Sequence, residues 1–205
     1  MSRTQYEHAQ KRIREEGLEG RCEVRLQDYR DVPGEGEFDK IASIGMFEHV
    51  GIRNLPAYFG RMRALLRDGG LVLNHGITSS DPDSRSVGQG AGEFIDRYVF
   101  PHGELPHVSL ALREMSAAGL EVADVESLRR HYARTCHEWA SRLSANAQRA
   151  AVVAGDRNLR IWQVYLAGCA YGFAHGWMNI YQVLACKDGG ADQNPLPLTR
   201  DYMYR

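Results

Sequence analysis

Hydrophobic and polar positions along this chain follow two periods, and the switches between them mark out its elements. From Ser2 to Glu16 the few apolar residues recur at helical spacing among many charges. Ser2 stands where an N-cap belongs and Gln5 occupies the capping-box position, so a helix is predicted that ends at Gly17 and Gly20. Cys22–Leu26 alternates as a short strand and runs into a polar turn at Gln27–Asp31. After a Pro/Gly loop, Phe38–Gly45 has the apolar centre of a buried strand. A helix is predicted from about Asn54 to Leu66, closed by Arg67, Asp68, Gly69 and Gly70. Leu71–Ile77 is then a second buried strand with polar residues at its exit.

The second half reads mostly helical, with predicted helices over Ala91–Tyr98, Val108–Ala118, Tyr132–Val153 and Arg157–Tyr171. The alternating run Leu120–Leu128 and the apolar run Ile180–Cys186 are strands that would extend the sheet. Ile161–Ala185 carries no Asp, Glu, Lys or Arg over a length that could cross a bilayer. Gly172, His175, Gly176 and Asn179 interrupt it, and its period changes midway, so a buried helix, a turn and a buried strand are predicted instead. From Asp188 onward Gly, Asp, Asn and Pro dominate. The expected organisation is therefore one domain over residues 1–187 and a fraying tail over 188–205.

Strand, helix and strand at this spacing imply an α/β domain with a parallel sheet and right-handed crossovers. Ligands of such sheets bind beyond the carboxyl ends of the strands. Three polar clusters, Asp28–Arg30, Gly45–His49 and His75–Ser79, are expected to share that rim.

Composition narrows the function classes. The chain is 43% hydrophobic and 25% charged, with 25 Lys and Arg against 26 Asp and Glu. That balance suits a globular core and withholds the basic excess with which nucleic-acid binders neutralise phosphates, so no nucleic-acid partner is expected. Cys22, Cys136, Cys169 and Cys186 lie far apart without a CxxC pair, which fits buried free thiols in a reducing compartment better than a metal or redox motif. His49, His75 and Glu48 could suggest a metal, but no i, i+4 pair of histidines on a helix supports one, and none is assigned. No apolar stretch follows the N-terminal charges, so a cytoplasmic location is expected. Read singly, Asp28 could be a turn former, Glu48 and His49 a solvated helix start, His75 a satisfied core histidine and Tyr132 a packing residue.

The run Phe38–Gly51, FDKIASIGMFEHVG, resembles the signature of cyclopropane-fatty-acyl-phospholipid synthases, a branch of the S-adenosylmethionine-dependent methyltransferases. The segments Ser2–Tyr6, Leu26–Asp31, Asn74–Ile77, Phe94–Pro101, Arg130–Thr135 and Arg160–Ala170 share the resemblance, which spans nearly all of residues 2–187. It implies a Rossmann-like class I methyltransferase fold and attack of an acyl-chain double bond on a sulfonium methyl group, followed by proton loss and ring closure. It further implies a bicarbonate ion as base, held by Glu48, His75, the main chain of Ile77, and Tyr132. His and Tyr can donate to such an anion and Glu can accept its proton. Phe47, Tyr98 and Phe100 are weaker candidates for shielding a transient cation. Contacts to S-adenosylmethionine carry over to Gln5, Asp28, Tyr29 and Gly45, with the Asp28 carboxylate and Tyr29 ring beside the adenine. The implied partner is a phospholipid bilayer, met peripherally at the inner membrane face. Arg85, Arg97, Arg129, Arg130 and Arg134 could face its headgroups or be ordinary solvated side chains.

The resemblance also sets out what this chain does not carry. The family order of strands is 3-2-1-4-5-7-6, and the first strand with its Gly-rich turn and the second strand precede the residues that match Ser2. The fold is therefore expected to be incomplete at the N-terminus, as in a fragment that keeps about half of the cofactor site, binds S-adenosylmethionine weakly and has little activity. Strand 3, at Cys22–Leu26, is expected to dock directly on strand 4, at Lys40–Gly45, or to be displaced. An unpaired edge would invite a homodimer. Two rival functions remain open: a non-catalytic remnant that binds lipid or a protein partner, and a relative that adds a methyl branch or an oxygenated group to the acyl chain.

Overall fold

The computed structural model describes residues 2–85, 91–189 and 194–204. The chain divides into two units, one ending at Glu35 and the other beginning at Gly36. In the first, helix α1 (Arg3–Glu15) forms as its pattern requires: the Ser2 hydroxyl accepts from the Gln5 N–H at 3.3 Å, and Gly17, at φ +67°, ends the helix. Pairs at i, i+4, Lys11 with Glu15 and Arg12 with Glu16, line its surface. Cys22–Leu26 forms no strand, contrary to its alternating pattern, because alternation signals a half-buried face only where a ladder partner exists. Its Leu26 side chain is exposed. Residues 29–31 make one turn of 3-10 helix capped by Asp28. None of residues 2–35 is fully buried among those described.

The second unit is built on a four-stranded sheet. Its elements are β1 (Phe38–Ile44), α2 (Leu55–Leu65), β2 (Leu66–Ser79), α3 (Ala91–Tyr98), α4 (Val108–Ala117), β3 (Leu120–Ser127), α5 (Arg129–Ala145), α6 (Ala147–Ala154), α7 (Asp156–Ala174) and β4 (Met178–Lys187). The spatial order is β1-β2-β4-β3, with β1 parallel to β2 and β4 antiparallel to both of its neighbours. The parallel sheet expected from the strand–helix–strand spacing is thus a mixed one once β4 joins it. Three strands share a direction, and the last strand in the chain inserts between β2 and β3 pointing the other way. An apolar run such as Ile180–Cys186 identifies burial but carries no sign of direction.

Successive residues of β2 serve opposite faces of the sheet. Asn74 accepts from the Tyr58 hydroxyl of α2 at 3.3 Å, while its neighbour His75 meets Tyr132 of α5 at 3.1 Å. On the α2 side Leu55, Tyr58, Phe59, Leu66 and Val72 are fully buried, and Ser43 completes a polar contact with Tyr58 at 2.5 Å. On the α5 and α7 side Cys136, Cys169, Phe173, Met178 and Ile180 form a second apolar cluster, against which Ile77 and Tyr132 pack.

Two further expectations are corrected. The single helix over Tyr132–Val153 is two, α5 and α6, broken at Asn146, whose side chain turns back to the Arg142 carbonyl at 2.8 Å. The tail does not simply fray: residues 200–204 form a 3-10 helix and Arg200 pairs with Asp124 of β3. Of the cysteines, Cys136, Cys169 and Cys186 are buried free thiols, but Cys22 is exposed.

Candidate active site

Gly45 ends β1 at φ +65°, a conformation that costs glycine little, and its N–H donates to the His75 carbonyl at 2.9 Å. This lets the chain turn into the 3-10 segment Phe47–His49 immediately above the β2 exit. Phe47 packs its ring over Gly76, where any side chain would collide with it, and so seats the turn on the strand. Glu48 is thereby buried, at 7% exposure, and its Oε1 accepts from the Ile77 N–H at 2.6 Å. The turn is held from above as well: Glu104 N–H donates to the Glu48 carbonyl at 3.0 Å, and the Glu104 carboxylate accepts from Ile52 N–H at 2.7 Å.

His75 is 8% exposed, with its Nε2 on the Tyr132 hydroxyl at 3.1 Å. Two buried polar atoms here, Glu48 Oε2 and His75 Nδ1, have no hydrogen-bond partner among the described residues. Burial pushes the His75 pKa below its ordinary 6.5, with nearby Glu48 opposing the change, so the imidazole is favoured neutral. Burial, together with Cys136 and Glu48, raises the Tyr132 pKa, so the phenol keeps its proton. Tyr132 stacks edge-on against Phe173 at 5.5 Å between ring centres. Tyr165, which packs on the same cluster, has its phenol pKa raised by burial, and the Cys169 thiol is pushed up to about 12 mainly by burial.

The structure therefore gathers Glu48, His75, Ile77 and Tyr132 at one place, with the Ile77 N–H engaged by Glu48. The wall beside them is Tyr165, Cys169 and Phe173 of α7 with Cys136 of α5; the sequence reading took the two cysteines only as buried thiols, and the i, i+4, i+8 spacing of the α7 residues was the available signal. Of the aromatic candidates, Phe47 is core packing on the α2 side, Phe100 lies between His49 and Tyr165, and Tyr98 stacks on Phe94. Gln5, Asp28 and Tyr29 belong to the first unit. The Asp28 carboxylate there accepts from the Arg30 guanidinium at 2.8 and 2.9 Å, which holds its pKa at about 2.

A sheet ordered β1-β2-β4-β3 with its last strand reversed, and a polar cluster beyond the parallel strand tips, defines the class I S-adenosylmethionine-dependent methyltransferases. The comparisons agree. Two solved cyclopropane synthases superpose on 91% of this chain and 67% of their own: MmaA2 from Mycobacterium tuberculosis at a TM-score of 0.80 and 25% identity, and the mycolic acid cyclopropane synthase CmaA1, complexed with SAH and CTAB, at 0.79 and 30%. Residues 1–183 match the family model of mycolic acid cyclopropane synthetase. This chain belongs to that family. A probable fatty acid methyltransferase of Pseudomonas putida is 51% identical over 205 residues, covering 100% of this chain and 52% of the relative. Another, of Mycobacterium tuberculosis, is 40% identical over 198 residues, covering 97% and 45%. The chain thus spans about half the length of these relatives.

Proposed function

We propose that this protein adds a one-carbon unit from S-adenosylmethionine to the double bond of an unsaturated acyl chain in a phospholipid. The reading rests on one observation: a buried carboxylate, Glu48, with one oxygen on the Ile77 N–H and the other unpartnered, beside the His75–Tyr132 pair and an apolar wall. In the reaction the alkene π electrons form a bond to the sulfonium methyl carbon, the carbon–sulfur bond breaks toward sulfur, and positive charge is left on the chain. Loss of a proton from the new methyl group releases the electron pair that closes a cyclopropane ring.

The residues fit a small anion that still carries a proton. The His75–Tyr132 pair, which shares one hydrogen bond, leaves one proton to donate, and Glu48 Oε2 is an acceptor that would repel an anion lacking a proton to give it. Bicarbonate matches this donor set and would supply a base. Glu48 would orient it through its proton, while the proton not used between His75 and Tyr132, on His75 Nδ1 or on the Tyr132 hydroxyl, would hold one of its oxygens. Cys136, Phe173 and Ile180 keep water from the cation. Phe100, beside His49, would present an aromatic face to it.

A second reading is methyl branching without ring closure, which the names of the two fatty acid methyltransferases favour. Gly45 remains a proposed contact to S-adenosylmethionine in the second unit, and Gln5, Asp28 and Tyr29 are the contacts that the resemblance implies in the first. The test is incubation with methyl-labelled S-adenosylmethionine and vesicles of unsaturated phospholipid, with lipid mass and ring-proton resonances as readouts. Weak labelling of the acyl chain is expected, in keeping with the low activity the resemblance implies for this chain, and Glu48→Gln is expected to abolish it while leaving the melting temperature close to that of the parent. Unlabelled acyl chains would refute the reading; a labelled chain without ring protons selects branching.

A further inference from the structure

We propose that the outer face formed by the first turns of α5 and the end of α7 is the surface by which this protein docks on an anionic phospholipid bilayer. The inference rests on the acyl-lipid reading above and names where such a lipid's headgroup is met. The structure separates five arginines that the sequence leaves ungrouped. Arg85 is paired with Asp83 at 2.9 Å, and Arg97 lies over the Tyr98 ring at 5.3 Å. Arg129 reaches across to the Phe173 and Ala174 carbonyls at 2.6 and 3.2 Å and ties α5 to the end of α7. Arg130 and Arg134 make no ion pair or side-chain hydrogen bond among the described residues, and both are exposed.

These two line a cavity of about 570 Å³ together with Arg129, His131, Ala133 and Ala174. No carboxylate lines it. Its size falls within the range of small-ligand sites and admits a phosphate with part of its ester. Arg134 and Ala174 also border a longer groove between α5 and α7, where the acid is Glu138 and the aromatic residue is Tyr171. Tyr171 stacks on His175 at 3.7 Å and meets Trp177 edge-on at 5.1 Å. Uncompensated guanidinium groups beside amphipathic rings are the composition that sits at a headgroup boundary: the cations meet phosphate, and Tyr and Trp occupy the layer beneath it. An acidic protein surface would satisfy the arginines but gives the ring cluster no comparable role.

The position also suits the chemistry. Tyr132 lies on α5 between Arg130 and Arg134 but turns inward to His75, so headgroup site and reaction site are separated by about one helix width, 10–12 Å. A lipid anchored outside could reach the site with the middle of its chain.

Sedimentation with vesicles of phosphatidylcholine alone, or with one-third phosphatidylglycerol, tests this without any methyl donor. The parent protein is expected to bind the mixed vesicles, more weakly as salt rises. Arg130→Ala with Arg134→Ala should weaken binding about 30-fold, roughly 5-fold per arginine. The pair Arg130→Lys and Arg134→Lys should restore most of it, which separates charge from folding. Equal binding by the alanine pair, equal binding to neutral vesicles, or binding of inorganic phosphate with no vesicle sedimentation would each overturn the proposal. A protein that sediments with vesicles yet transfers no methyl group refutes the reaction and leaves this surface standing; methyl transfer with sedimentation unaffected by the alanine pair does the reverse.

Discussion

At the scale of single residues, His75 is the group whose titration the fold has altered most usefully. Its pKa is lowered from 6.5, chiefly by burial. The folded state therefore favours the neutral ring, and the unfolded chain binds a proton first as pH falls. The contribution of His75 to stability is full above about pH 6.5 and is lost as pH drops through that value toward the lower folded pKa. Urea midpoints measured from about pH 7.5 to about pH 5.5 should fall more for the parent than for His75→Gln. The same shift keeps the ring neutral at physiological pH, as the proposed anion site requires. This residue was legible only in part: His75 follows an apolar strand, but nothing local announces that Tyr132, 57 positions later, donates to or accepts from it. The resemblance joined the two, and the β2–α5 packing makes them meet.

At the scale of elements, the seat of the Glu48 turn depends on the bare backbone of Gly76. A Cβ there would lie 2.7 Å from Phe47 Cδ1. Gly76→Ala is expected to cost about 1–3 kcal/mol by chemical denaturation and to depress methyl transfer further than stability alone explains, since the displaced ring carries Glu48 with it. Helix α5 shows the opposite tension. Its first turn holds Arg129, Arg130 and His131 and no acid, although cations are unfavourable at that end. Arg130→Glu is expected to stabilise the protein by about 0.5–1 kcal/mol, through the helix dipole and a new pair with Arg134, while weakening vesicle binding. A higher melting temperature together with lost sedimentation would mark a position held for binding at the expense of stability. Among the elements, β1, α4 and β3 lie where their patterns put them, whereas β2 begins at Leu66, ahead of the expected Leu71, and takes in the Arg67–Gly70 stretch that was expected to close the helix. The break at Asn146 escaped because Ala-rich, polar residues on both sides continue one helical period. Cys22–Leu26 failed for another reason: pairing is a property of two segments, and only one was in view.

At the scale of the whole molecule, β1 is an edge among the described strands, and Ile44 is 69% exposed on it. Unpaired N–H and C=O groups beside an apolar side chain favour association. Sedimentation velocity should show concentration-dependent self-association that Ile44→Lys reduces, without change in the far-ultraviolet spectrum. Neither the order of the strands nor the reversal of the last could be read from hydrophobic pattern, because both are set by which faces remain uncovered once the helices pack. The sheet's middle is held by β4, and no ladder joins β2 directly to β3. A polypeptide leaving the ribosome must therefore keep the strand bearing His75 without its second neighbour until residues 178–187 have emerged, roughly a hundred positions later. The helix bearing Tyr132 is synthesised well before the strand that locks its platform, so the reactive pair is assembled among the final steps of maturation.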